Sequence, residues 1–171
     1  MILLTHAIVG GAVAGALGQG PLVSFAVGLA SHYLLDMVPH WEYKLRSEEV
    51  DIDNPLKNRM SGGRDFYLDL IKLALDAVLG IILALLFFAN PVKEGETVAI
   101  LAGVFGGFLP DFCQFLYMKI RREPFRSLQI FHHRFHSADR RLKESGVFLG
   151  FSFQLAIILI VFFLGNWRVF F

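Results

Sequence analysis

FYLDLIKLALDAVLGIILALLFFA, residues 66–89, is longer than the roughly 20 apolar residues a helix needs to cross a bilayer. Asp69, Lys72 and Asp76 interrupt it near its start, and nothing ionisable follows them. A segment of this length and composition reads as a membrane helix. Four others read the same way, at about 2–18, 22–40, 97–118 and 146–165. The predicted fold is therefore all-α: one polytopic membrane helical bundle of about five transmembrane helices, spanning residues 1–171 as a single domain. Composition agrees, with 55% hydrophobic and only 18% charged residues and a mean hydropathy of +0.55. That leaves too little polar surface for a soluble protein of this size.

No Lys or Arg precedes the first apolar stretch, so it lacks the basic flank of a secretory signal and is expected to be retained. The single cysteine, Cys113, excludes an internal disulfide framework and reads as a small buried hydrophobe. Gly11/Gly15 and Gly103/Gly107 have the small-xxx-small spacing that lets membrane helices approach closely, and they are expected to pack helices.

Loop charge sets the orientation. The polar segments 42–65 and 119–145 hold Lys44, Arg46, Lys57, Arg59 and Arg64, and Lys119, Arg121, Arg122, Arg126, Arg134, Arg140, Arg141 and Lys143. The link between the third and fourth spans has only Lys93, and the link between the first two has none. Five spans with both basic segments on the cytoplasmic side predict a multi-pass protein of the cell (inner) membrane. Its N-terminus would be cytoplasmic and its C-terminus outside.

Nine residues of metal-binding type lie in or beside the apolar runs: His6, His32, Asp36, His40, Asp76, Asp111, His132, His133 and His136. An Asp within a span costs roughly 2.5–3.5 kcal/mol on insertion scales, so such residues are functional candidates by default. With the span directions above, all nine fall in one cytoplasmic layer. His32 and Asp36 are four apart and share a helix face, His40 continues the spacing past Pro39, and His132 and His136 repeat it. His and carboxylate pairs so spaced are how helical bundles build metal sites. Mixed His/Asp ligation suits zinc, iron or manganese, with zinc favoured, as one or two divalent ions. His6, His32, Asp36, His40, Asp76, Asp111 and His136 are the candidate ligands. His132 or His133 would act as general acid or hold a phosphate, and Arg134 would stabilise developing negative charge.

Plainer readings compete at some positions. His40 lies in Pro39-His-Trp-Glu-Tyr43, which also reads as an interfacial aromatic belt. His132 and His133 could face lipid phosphates beside Arg134, and Asp69 reads as a helix-start carboxylate.

The chain also looks internally duplicated. His6-Ala-Ile-Val-Gly10 parallels Asp76-Ala-Val-Leu-Gly80, and Gly28-Leu-Ala-Ser-His-Tyr-Leu-Leu-Asp36 parallels Gly103-Val-Phe-Gly-Gly-Phe-Leu-Pro-Asp111. A two-helix repeat about an axis along the membrane normal would bring His6, Asp36, Asp76 and Asp111 together.

Thr5-His6, Ser31-His32-Tyr-Leu-Leu-Asp36, Leu109-Pro110-Asp111 and the histidine-rich run ending in His136-Ser137 resemble motifs of the prokaryotic membrane-bound metal-dependent hydrolases. His32-x-x-x-Asp36-x-x-Pro-His40 is also similar to a motif of zinc-dependent phospholipase C. The resemblance implies that His6, His32, Asp36, Asp111 and His136 are metal ligands or their neighbours. The chain departs from the family pattern in motif order and in lacking the Gly and Thr of the histidine-rich motif.

The function expected is a metal-dependent hydrolase of a phosphate ester or lipid-linked phosphate at the cytoplasmic membrane face. Membrane lipid is the expected partner, drawn by Arg121, Arg122 and Arg126; nucleic acid is not expected. The competing readings are a metal-ion or proton transporter and a non-catalytic adaptor for anionic lipid. A transporter predicts polar residues along the full thickness of the spans.

Overall fold

In the computed structural model, residues 1–38, 40–51, 54–90, 94–135 and 146–166 are described. His136 and Ser137 lie outside them, as do Pro39, Lys93, Arg140, Arg141 and Lys143. Six helices carry the described fold: α1 Leu3–Leu17, α2 Pro21–Asp36, α3 Arg64–Phe88, α4 Glu96–Ile120, α5 Phe125–Phe135 and α6 Val147–Gly165. One two-stranded antiparallel hairpin, β1 Glu48–Glu49 with β2 Arg59–Met60, lies between α2 and α3.

Three helices, α3, α4 and α6, are long and apolar enough to cross a membrane. They coincide with the third, fourth and fifth expected spans to within two residues. Their outer faces stay apolar and uncovered, with Leu86, Phe148 and Leu164 each at least 70% exposed. Water does not tolerate apolar surface on that scale, and lipid requires it. The chain is a membrane-associated helical protein.

The first two expected spans come out shorter. At 15 and 16 residues, α1 and α2 extend about 22–24 Å at 1.5 Å per residue, less than the roughly 30 Å hydrocarbon core. The limits are local. Gly18 takes a left-handed conformation (φ 58°) that ends α1, and Pro21 sits in the first turn of α2, where its missing N–H costs nothing. At the other end α2 stops at Asp36.

Helices α1, α2 and α4 meet backbone to backbone. A Cβ on Gly107 would sit 2.5 Å from the His6 carbonyl oxygen, and one on Gly106 would sit 2.2 Å from that of Phe25. Of the glycines expected to pack helices, Gly103 and Gly107 are at these close approaches, whereas Gly15 meets only side chains at ordinary distance. Ala7, Ala84, Ile100 and Val104 form the buried apolar core where α1, α3 and α4 meet.

The described residues of the segment after α2, 42–51 and 54–61, cap the end of the bundle where α2 finishes and α3 begins. Asp69, expected only as a helix-start carboxylate, is 3% exposed and accepts from both the backbone N–H and the hydroxyl of Ser47 at 2.7 Å. Tyr117 and Arg121 donate to the Leu56 carbonyl, and Lys119 to the carbonyls of Met60 and Ser61. Arg121, expected to attract lipid headgroups, is thus engaged in holding this cap. Asp69→Ala is expected to lower stability by about 2 kcal/mol, the loss of charge-assisted hydrogen bonds. It should also expose 42–61 to protease, checked by limited proteolysis and unfolding in detergent.

Candidate metal centre

Six of the nine singled-out residues converge at this capped end. His6 comes from the first turn of α1, His32 and Asp36 from the end of α2, and His40 from just beyond it; Asp111 comes from α4 and His132 from α5. Helix α5, unpredicted in the basic segment 119–145, docks on α2 through Phe131 and Phe135, whose rings lie 5.2 and 5.0 Å from that of Tyr33. Its buried face carries Gln129 and His132, and that docking puts the His132 ring inside the cluster.

Asp36 is the centre. It is fully buried, with Oδ2 2.9 Å from His32 Nε2 and 3.1 Å from His132 Nε2. The two Nε2 atoms are 3.2 Å apart, and each lies 3.8 Å from Asp111 Oδ1. One donor atom from each of His32, Asp36, Asp111 and His132 falls within 4.8 Å of all the others. Tetrahedral N and O donors about 2.05 Å from a zinc ion would stand roughly 3.3 Å apart. The spacing fits an ion of that size.

Hydrogen bonding narrows what the cluster could hold. His32 Nδ1 is 2.6 Å from the Gly107 carbonyl oxygen, which can only accept, so Nδ1 carries the hydrogen and Nε2 of the neutral ring presents its lone pair. That lone pair faces the Asp36 carboxylate and His132 Nε2 together. A proton can bridge one of these pairs, whereas a divalent ion answers all of them at once. An imidazole whose other N–H is fixed by a carbonyl is also how metal-binding histidines are held. Pro110, buried in α4, lacks the N–H that would bond to Gly106, so the helix ladder is interrupted just before Asp111.

Asp36 also ends α2, where the helix dipole disfavours negative charge, and no basic residue occupies that turn. Cationic or proton-bearing groups surround it instead. His6 Nε2 is 3.2 Å and the Met1 amino group 3.3 Å from Oδ1. Burial alone would push the Met1 ammonium down; Glu42, then Asp36 and Asp111, outweigh it and hold it above its ordinary value.

Asp76 stands apart. Its Oδ2 accepts from the Tyr43 hydroxyl at 3.1 Å, and its carboxylate lies against the backbone N–H groups of Leu3 and Leu4 at the start of α1. Burial, then the charge of Asp76, raises the Tyr43 phenol well above its usual range. Of the four residues that the expected duplication would bring together, His6, Asp36 and Asp111 lie at the cluster, whereas Asp76 is engaged by Tyr43 and the start of α1. His133 is half-buried and Arg134 exposed, and neither belongs to the four-residue donor set.

Two residues were missed. Glu42 Oε1 is 3.0 Å from His40 Nε2; its signal was a carboxylate two positions after a histidine. Gln154 is 2% exposed. It accepts from the Ile2 N–H and the Thr5 hydroxyl and donates to the Trp41 carbonyl, tying α6 to α1 and to the segment after α2. A lone amide in an otherwise apolar run was its signal.

A cavity of about 300 Å³ opens beside the cluster, lined by Leu70, Leu73, Phe108, Phe112, Phe115 and Met118, among others, and reaching Asp111 and Glu42. Asp111, with 24% of its side chain exposed, is the most accessible of the four donors. The chain matches no protein-family model, no curated protein and no solved structure. The motif resemblance therefore stands on its own residues.

Proposed function

We propose that this protein is a membrane-embedded metal-dependent hydrolase acting on a phosphate ester or lipid-linked phosphate at the cytoplasmic membrane face. The observation that carries the reading is the His32–Asp36–Asp111–His132 donor set, with His32 Nδ1 fixed on Gly107 and Nε2 turned to the carboxylate. Zinc is favoured by mixed His and carboxylate donors. A divalent ion held there supplies Lewis-acid chemistry, polarising a phosphoryl oxygen and activating water.

The chain's own residues define the rest. Asp111 turns the accessible side of the cluster toward the cavity, so substrate would enter there. The apolar lining suits an alkyl chain, which favours a lipid-linked phosphate over a small soluble ester. His133 and Arg134 directly follow His132 on α5, where an imidazole and an exposed guanidinium can meet an anionic headgroup. Helices α1 and α2 would be membrane-embedded elements completing five passes, in an inner membrane, with the N-terminus cytoplasmic. A transport pathway fits less well, because the far halves of α3 and α6 carry no ionisable residue and that of α4 carries only Glu96, in its first turn.

The test is elemental analysis of detergent-purified protein, followed by a phosphoester and phospholipid hydrolysis screen with Asp111→Ala as control. Stoichiometric metal, and hydrolysis at least about 100-fold above the control, is the expected result. Metal-free protein overturns the proposal. So does metal-loaded protein that hydrolyses nothing but carries metal across proteoliposomes.

A further inference from the structure

We infer a second divalent-cation site on the other side of Asp36, formed by His6, His40 and Glu42, with the Asp36 carboxylate bridging two ions. The inference rests on the metal reading above and extends it.

The two oxygens of Asp36 serve different partners. Oδ2 faces His32 and His132, whereas Oδ1 lies 3.2 Å from His6 Nε2 and 3.9 Å from His40 Nε2. His40 repeats the arrangement of His32. Its Nδ1 is 2.6 Å from the Val38 carbonyl and donates to it, so Nε2 of the neutral ring presents a lone pair. That nitrogen sits 3.0 Å from Glu42 Oε1, a separation that either a shared proton or a metal ion between the two atoms would satisfy.

His6 supplies an independent sign. Its ring is fully buried and stacked on that of His32 with centroids 4.0 Å apart. Neither ring nitrogen has a hydrogen-bond partner, because Nε2 points at Asp36 Oδ1 off line for a hydrogen bond. Buried polar groups are nearly always satisfied, and a histidine nitrogen that is not marks a place where a ligand belongs. The Met1 ammonium, beside Asp36 Oδ1 and hydrogen-bonded to Glu42, shows that this side accepts positive charge. Two ions sharing a carboxylate form the arrangement that clamps both the attacking and the leaving oxygen of an in-line displacement at phosphorus. The chemistry points to a phosphate ester as substrate.

The full-length protein is purified in detergent, loaded with zinc, freed of loose metal by gel filtration and analysed for metal per chain. Wild type should hold two zinc ions, and His40→Ala/Glu42→Gln should hold one. Manganese-loaded wild type should also give the exchange-coupled electron paramagnetic resonance signal of a bridged pair, a readout that needs no variant to fold. One ion per chain in wild type overturns the inference and leaves the hydrolase reading intact, with the Met1 ammonium answering Asp36 Oδ1. Two ions that persist in the double variant, or two uncoupled manganese ions, also overturn it. No ion at all removes both.

Discussion

Asp36→Ala should strip the protein of tightly bound metal and lower its stability by about 3–5 kcal/mol in the presence of chelator, the usual cost of removing one member of a buried charge cluster. The carboxylate is fully buried, and His6, His32, His132 and the Met1 ammonium all lie within 3.3 Å of its oxygens. Alanine would leave an ammonium and three imidazoles in a pocket with no central anion. The neighbouring carboxylate cannot stand in, since Asp111 Oδ1 is 3.8 Å from both His32 Nε2 and His132 Nε2. Asp36→Asn separates the two effects: it keeps the shape and should retain more stability than alanine while still losing the metal. Elemental analysis and chemical unfolding in detergent, followed by tryptophan fluorescence, give both readings. An Asp36→Ala protein with wild-type metal content would remove Asp36 from the centre.

Gly28→Ala should cost at least about 3 kcal/mol, at the upper end of overpacking penalties because backbone, not a movable side chain, receives the new atom. A Cβ at residue 28 would stand 2.0 Å from the Gly103 carbonyl oxygen and 2.9 Å from the Gly103 Cα. Helices α2 and α4 would have to separate. His32 and Asp36 ride on α2, and the Gly107 carbonyl that orients His32 rides on α4. Metal affinity should fall with stability, by about 10–100-fold, as when a ligand's orienting partner is lost. Gly20→Ala is the control, since a Cβ there meets nothing within 4 Å. Unfolding midpoints and metal titration of the two variants check the pair, and equal behaviour would contradict the close approach of α2 and α4.

The long apolar runs made α3, α4 and α6 legible from sequence, because hydropathy over some 20 residues is a strong and local signal. Helices α1 and α2 came out shorter than the runs that contain them, because backbone events at Gly18 and Asp36 set their lengths while hydropathy continues past both. Helix α5 was hidden by composition: its arginines and histidines read as a charged loop, yet Phe131 and Phe135 pack it on Tyr33.

At the site, span direction and helical spacing placed His6, His32, Asp36, His40, Asp111 and His132 at one level. Which carboxylates converge was a question spacing could not answer. Asp76 and Asp36 are alike in sequence, each set in an apolar run, but the Tyr43 hydroxyl engages one and the histidines surround the other. Glu42 was passed over because it lies outside the apolar runs, on a segment that folds back over the end of the bundle. His132, expected as an acid or a phosphate holder, takes a place in the donor set because Asp36 and His32 reach its Nε2 directly.

X-ray absorption at the zinc edge of the metal-loaded protein tests the centre most directly. A first shell of nitrogen and oxygen alone at about 2.0–2.2 Å is expected, with the outer-shell pattern of several imidazoles. A sulfur at about 2.3 Å, which Cys113 alone among the residues could supply as a thiolate, or protein that retains no zinc, would contradict it.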